Sequence, residues 1–145
     1  MTDDTRPTSH GQGRAPAVLV VDDSATIRMY HRQILTEAGF TVQEACNGYE
    51  ALELTLVEPF DLLVVDINMP VMDGYTLVES IRRKSAVRQV PVIMVSSEAE
   101  LVDYDEAYSR GADLYVVKPA DPDYLRQVAL ALTSPDRPVR TGPRR

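Results

Sequence analysis

The 145-residue sequence has one cysteine, Cys46, no tryptophan and two phenylalanines. A single cysteine cannot form an internal disulfide, which excludes the disulfide-stapled secreted class and most thiolate metal sites. No apolar run approaches the roughly 18 residues that a membrane span needs, and the polar start of the chain does not resemble a signal peptide. These absences predict a cytoplasmic globular protein without membrane insertion.

Acidic residues exceed basic ones, and the formal net charge is −7. Residues 1–14 are balanced and residues 134–145 carry +3, which leaves −10 on the body of the chain. A body this acidic repels the phosphates of nucleic acids, so DNA is not an expected partner. It favours a basic or apolar partner instead.

Apolar runs alternate with helical patterns between residues 17 and 132. We interpret residues 1–16 as a flexible leader and residues 133–145, rich in proline and arginine, as a disordered tail. Five runs predict buried strands: 17–21, 42–45, 62–65, 92–95 and 114–117. Helices are expected over 24–38, 51–57, 74–84, up to 110, and 121–132, with a turn at Asn47-Gly48. The pattern is that of a three-layer α/β domain around a parallel sheet.

Polar residues follow four of these strands, and parallel strands place their carboxyl ends on one edge of the sheet. Each residue also has an ordinary structural interpretation. The acids after the first strand and the serines after the fourth are typical helix caps, Asp66 suits a turn, and Lys118-Pro119 suits a solvated loop. The joint placement favours a shared site of three carboxylates, a hydroxyl and an ammonium, formed by Asp22, Asp23, Asp66, Ser96 and Lys118.

Three carboxylates at one edge cannot all stay ionised without a cation, unless one of them keeps its proton. Two carboxylates about 4 Å apart repel by about 4 kcal/mol at an effective dielectric of about 20. An open carboxylate site that keeps its waters suits Mg²⁺. Lys118 offers a point charge and Ser96 a hydroxyl for phosphoryl oxygens. Asp66 ends the most central strand and is the best candidate for a carboxylate nucleophile toward a phosphoryl group.

At these positions the sequence resembles the CheY-like receiver domains of two-component response regulators. The resemblance covers residues 17–132, about four-fifths of the chain. The motifs, specific together in this order, are Val20-Val21-Asp22-Asp23-Ser24, Val64-Val65-Asp66-Ile67-Asn68-Met69-Pro70-Val71-Met72-Asp73-Gly74, Val95-Ser96 and Tyr115-Val116-Val117-Lys118-Pro119. The resemblance implies a doubly wound (βα)5 domain, with five parallel strands in the flavodoxin-like order 2-1-3-4-5.

The resemblance also implies roles for these residues. Asp66 would accept a phosphoryl group from a histidine kinase or phosphotransfer protein, and Lys118 and Ser96 would contact the phosphoryl oxygens. Mg²⁺ would be held by Asp23, Asp66 and the backbone carbonyl of Asn68, with Asp22 helping directly or through water. Ser96 and Tyr115 would form the conformational switch, while the side chains of Asn68 and Glu98 would tune dephosphorylation.

The sequence departs from the chemotaxis archetype in the regions expected to signal to a partner protein. Ala120 stands where receivers often carry a bulky apolar residue after Lys-Pro, and the fourth helix is acidic. We expect a stand-alone regulator that signals by docking a partner on its fourth helix, fifth strand and fifth helix, in chemotaxis, motility control or a phosphorelay. A receiver-fold module switched by a ligand such as a nucleotide is the alternative.

Enzymatic functions fit the sequence less well. An aspartyl phosphatase needs a second acid two residues after its nucleophile, and Asn68 cannot act as one. No glycine-rich loop follows the first strand, which excludes a dinucleotide enzyme. His10 and His31 show no metal or kinase spacing and are interpreted as solvated.

Overall fold

A computed structural model describes residues 14–84, 89–97 and 104–135 of the chain. Five strands and five helices alternate along it. In chain order these are β1 (Ala17–Val21), α1 (Ala25–Glu37), β2 (Thr41–Ala45), α2 (Gly48–Val57), β3 (Leu62–Asp66), α3 (Gly74–Arg83), β4 (Val92–Ser96), α4 (Tyr104–Ser109), β5 (Leu114–Val117) and α5 (Pro122–Leu132). All strand pairs are parallel, in the order β2-β1-β3-β4-β5. The predicted fold class and strand order are confirmed.

Side chains of the central strands alternate between the two faces of the sheet, because successive residues of a strand point in opposite directions. On one face Leu19 and Leu63 join a buried cluster with residues of α2 and α3. On the other face Val20 and Val64 join a second cluster with α1 and α5. The sheet is therefore the middle of three layers, and its continuous apolar runs reflect burial on both faces.

Several strands and helices begin or end at other residues than predicted. β3 and β4 each extend one residue further than the apolar pattern, so Asp66 and Ser96 are the last residues of their strands. The chain bends at Cys46 and Asn47, and α2 begins at Gly48, three residues before its predicted start. Asn47 is the N-cap of α2, and its side chain accepts a hydrogen bond from Glu50 N at 2.8 Å. The Glu50 side chain in turn accepts from Cys46 N at 2.8 Å, one residue before the N-cap, in an arrangement similar to a capping box.

Helix ends that depend on local chemistry follow the sequence more closely. Ser24 and Asp121 cap α1 and α5 through side-chain hydrogen bonds, as expected. Gly39 and Gly111 follow their helices with positive φ angles of 103° and 115°, a conformation that glycine adopts without steric cost.

Two predicted segments lie largely outside the described residues. The leader is described from residue 14 and the tail as far as residue 135, so their predicted flexibility and disorder stay predictions. Among the described helices, none has the length and apolar character needed to cross a membrane.

Candidate functional site

The predicted polar residues meet at the carboxyl edge of the sheet. Asp66 pairs with Val95 and Ser96 with Val117 in the strand register, which brings the ends of β3, β4 and β5 level. Asp22 directly follows β1, and its backbone N–H donates to Ala45 O at 3.1 Å, which ties this end to β2. The edge thus gathers side chains that are remote in the sequence.

Three carboxylates form the centre of this edge. Asp22, Asp23 and Asp66 each offer an oxygen, and these oxygens lie within 4.8 Å of one another. Asp22 and Asp66 are buried, whereas Asp23 is exposed. Asp22 Oδ2 receives no hydrogen bond of regular geometry within the described chain. Hard oxygen donors, two of them buried and one open to water, fit a hydrated divalent cation.

The Lys118 ammonium lies between the two buried carboxylates. Its Nζ is 2.9 Å from Asp22 Oδ2 and 3.1 Å from Asp66 Oδ1. The contact with Asp22 is an ion pair whose angles are not those of a regular hydrogen bond. Lys118 itself is held by its backbone N–H, which donates to Ser96 O at 2.8 Å. The predicted convergence of Lys118 with the acidic residues is confirmed.

The pKa values of Asp66 and Lys118 are shifted by their burial and by the contacts between them. Burial, reinforced by the Asp22 charge, raises the pKa of Asp66 to about 6, although Lys118 opposes the shift. Burial alone would lower the pKa of Lys118, but its contacts with Asp22 and Asp66 outweigh this and raise that pKa above its usual value. Asp66 therefore combines a proton affinity unusual for a carboxyl with a fixed cation beside it.

Asn68 links the Asp66 carboxyl to the Ser96 hydroxyl of the neighbouring strand. Its backbone N–H donates to Asp66 Oδ1 at 3.3 Å, and its side-chain Nδ2 donates to Ser96 Oγ at 3.2 Å. The predicted grouping of Asn68, Asp66 and Ser96 is thereby confirmed. Metal ligation by the Asn68 carbonyl stays a prediction.

The two remaining predicted residues have different outcomes. Tyr115 is buried on β5 within the cluster that includes α2 and α3 residues, so its ring is packed inward. Its role as a switch stays a prediction. Glu98 lies outside the described residues.

The structure decides between some of the open interpretations. Ser24, and not Asp22 or Asp23, is the N-cap of α1, while Asp22 Oδ1 accepts from Ser24 N at 2.9 Å. Asp66 is the last residue of β3 and not a turn residue, although its Oδ1 accepts a hydrogen bond from Asn68 N in the loop that follows.

Sequence reasoning missed a group of residues that support the site from α1. Arg28 donates to Asp22 O at 2.6 Å and to Glu44 Oε1 at 2.9 Å, which fixes the acidic end of β1 against β2. The interpretation of His31 as solvated is wrong: it is buried, and neither ring nitrogen has a hydrogen-bond partner in the described chain. Its spacing from Ile34 and Leu35, which are also buried, was the available signal.

Comparison with known proteins now identifies the class. A sequence model described as response regulator receiver domain matches residues 18–130. The chain belongs to this family, as the fold and the edge of carboxylates had indicated.

Curated relatives differ in how much of their length the chain covers. The chain is 38% identical to the chemotaxis protein CheY of Pseudomonas aeruginosa over 111 residues, which are 76% of this chain and 90% of that protein. It is also 38% identical over 108 residues to the probable transcriptional regulator ycf27 of Cyanidium caldarium, covering 74% of this chain but 42% of that protein. The ycf27 and ycf29 proteins of Porphyra purpurea are likewise about twice as long as the region that they share with this chain.

Solved structures agree with the fold. The chemotaxis response regulator CheY4 of Vibrio cholerae has a TM-score of 0.75 and 34% identity, covering 82% of this chain and 99% of that one. The receiver domain of a sensor histidine kinase of Pseudomonas aeruginosa has a TM-score of 0.75 at 23% identity, covering 83% and 98%, and its structure holds a magnesium ion in the active-site cleft. The latter likeness concerns the fold alone.

Proposed function

We propose that this chain is a phosphoacceptor signalling protein in which Asp66 receives a phosphoryl group from the phosphohistidine of a histidine kinase or phosphotransfer protein. The observation that carries the proposal is the Lys118 ammonium held between Asp22 and Asp66, 2.9 and 3.1 Å away. The ammonium thus places a positive charge beside the Asp66 carboxylate, where the oxygens of a bound phosphoryl group would lie.

The transfer needs little covalent chemistry from the protein. An oxygen of the Asp66 carboxylate bonds to phosphorus while the bond from phosphorus to the histidine nitrogen breaks, and that nitrogen keeps the electron pair. Lys118 moves its contact from Asp66 to a phosphoryl oxygen, and the Ser96 hydroxyl donates to another. Hydrolysis of the resulting acyl phosphate restores Asp66.

The residues present fit Mg²⁺, which Asp22, Asp23, Asp66 and the Asn68 carbonyl would hold. When bound, the ion neutralises charge on the carboxylates and on the phosphoryl group. The exposed position of Asp23 beside two buried acids supports an open site of this kind.

Output by protein docking is part of the proposal. Phosphorylation would bias the equilibrium between two arrangements of α4, β5 and α5, and a partner would bind one of them. Val117 of β5 and Tyr124 and Leu130 of α5 are substantially exposed, which supports a contact surface there. The CheY relatives favour chemotaxis or motility, and a phosphorelay uses the same chemistry. A cytoplasmic location and the absence of DNA contact belong to the same proposal.

A module of this fold switched by a ligand remains the second candidate. The intact grouping of Asp22, Asp23, Asp66 and Lys118 favours phosphorylation. Buried charges destabilise a fold, and a domain that is no longer phosphorylated would gain nothing from keeping them. We further propose that the chain catalyses no reaction beyond its own phosphotransfer and dephosphorylation.

Incubation with acetyl phosphate and Mg²⁺ followed by intact-mass analysis tests the proposal. We expect one phosphoryl adduct on the wild-type chain and none on Asp66→Asn, which keeps the size of the side chain but removes its charge. An adduct that persists in Asp66→Asn, or the lack of any adduct on the wild type, would contradict the assignment. Pulldown with and without beryllofluoride then separates a phosphorylation-dependent partner from a constitutive one.

A further inference from the structure

The loop that carries Lys118 is short and is tied down at both ends. It runs from Lys118 to Asp121, between β5 and α5. At its start the Lys118 N–H donates to Ser96 O at 2.8 Å, and at its end the Asp121 side chain accepts from Tyr124 N at 2.9 Å. The placement of Lys118 therefore depends on what holds the residues in between.

A tyrosine of α1 reaches this middle part. The Tyr30 hydroxyl donates to the backbone carbonyl of Ala120 at 2.8 Å, across 90 positions in the sequence. Its partly buried ring packs against the cluster of β1, β3, α1 and α5 residues that includes the buried Ala120 side chain. A bulky side chain after Lys-Pro can anchor such a loop by packing, but Ala120 has only a methyl group. Here α1 supplies a hydrogen bond instead.

We propose that Tyr30 is a positioning residue: its hydroxyl anchors the β5–α5 loop and so holds the Lys118 ammonium between Asp22 and Asp66. The inference rests on the proposed function, since it names the residue that orients Lys118 for the phosphoryl group. Lys118 has a long side chain, and an ammonium contact to two carboxylates is sensitive to small shifts of the backbone two residues away.

Lysine ammonium NMR tests the anchoring directly, without phosphorylation. The chain has two lysines, so the exposed Lys84 is an internal reference for Lys118. Tyr30→Phe removes the hydroxyl and keeps the ring. We expect hydrogen exchange at the Lys118 ammonium to become about threefold to tenfold faster, as for the loss of one hydrogen bond, with Lys84 unchanged. Tyr124→Phe, an exposed tyrosine close to the same loop, is the matched control and should leave both signals unchanged.

Phosphorylation kinetics then show whether Tyr30 acts through Lys118. We expect Tyr30→Phe to slow phosphorylation by acetyl phosphate about threefold to tenfold in the wild-type background, and to have no further effect in Lys118→Ala. An equal slowing in both backgrounds would indicate general structural damage and would overturn the inference. Unchanged exchange at Lys118 would overturn it as well. A wild-type chain that is never phosphorylated would instead disprove the proposed function, while the NMR result still decides the anchoring.

Discussion

Two buried ionisable residues, His31 of α1 and Asp66 of β3, have opposite effects on stability as the pH changes. Burial lowers the pKa of His31 to about 4; the Asp22 charge opposes this shift and the Lys118 charge adds to it. The pKa of Asp66 is raised to about 6. His31 is stabilising when neutral, so its contribution is complete above about pH 6.5 and is lost as the pH falls through 4. Asp66 is stabilising when protonated, so its contribution is complete below about pH 3.8 and is lost as the pH rises through 6.

Variants at these two positions should therefore have opposite pH profiles. Relative to wild type, His31→Leu should gain stability as the pH falls from 6.5 to 4, because it removes a cost of about 3 kcal/mol. Asp66→Asn should lose stability relative to wild type as the pH falls from 6 to 3.8, by a similar amount. Urea unfolding at several pH values without Mg²⁺ measures both. Parallel profiles for wild type and both variants would show that neither group is shifted.

At the scale of elements, the start of α3 is packed against the end of β3. A Cβ added at Gly74 would lie 2.5 Å from Asp66 O and 2.9 Å from Ile67 Cα. The Gly74 N–H donates to Ile67 O at 2.9 Å, so this close approach is also a hydrogen bond. Since the contacts are with backbone atoms, a side chain at position 74 cannot be accommodated by rotamer changes. The geometry at the end of β3, where Asp66 lies, depends on this glycine.

Gly74→Ala should accordingly destabilise the chain by about 1–3 kcal/mol and slow phosphorylation of Asp66. Chemical denaturation and the acetyl phosphate assay provide the two measurements. Thr76→Ala, at an exposed position two residues further along α3, is the control and should change neither quantity appreciably. Gly74→Ala with wild-type stability and rate would refute the importance of the close approach.

The whole molecule carries a net negative charge, and two of its acids, Asp22 and Asp66, are buried at one edge of the sheet. Burying these two carboxylates side by side destabilises the folded chain, and a bound cation reduces that destabilisation. A ligand that binds the folded chain and not the unfolded one stabilises by mass action. Mg²⁺ at ten times its dissociation constant should therefore raise the free energy of unfolding by about 1.4 kcal/mol. Thermal unfolding with and without Mg²⁺ measures the shift.

Asp23→Asn should remove most of this Mg²⁺ response, since Asp23 supplies the exposed carboxylate of the site. Asp123→Asn on α5 changes the net charge equally, yet its exposed carboxylate is paired with Arg126 and is not one of the three clustered carboxylates. Its response to Mg²⁺ should match that of the wild type. If both variants respond alike, the stabilisation comes from general charge screening and not from a site.

The sequence by itself determined the layers and the edge on which the site lies. Continuous apolar runs such as 17–21 and 62–65 require burial on both faces of a sheet, and parallel strands then place Asp22, Asp66 and Lys118 on one edge. Capping chemistry fixed helix ends at Ser24 and Asp121, because a cap depends on residues within one turn.

Only the tertiary structure decided what the residues of α1 do. The contact of Arg28 with Asp22 O and that of Tyr30 with Ala120 O depend on how α1 lies across the sheet. A polar residue in an amphipathic helix has the same local sequence signal whether it meets solvent or a backbone carbonyl. Which residue it contacts is decided by the packing of elements that are distant in the chain. A local sequence pattern contains no information about that packing.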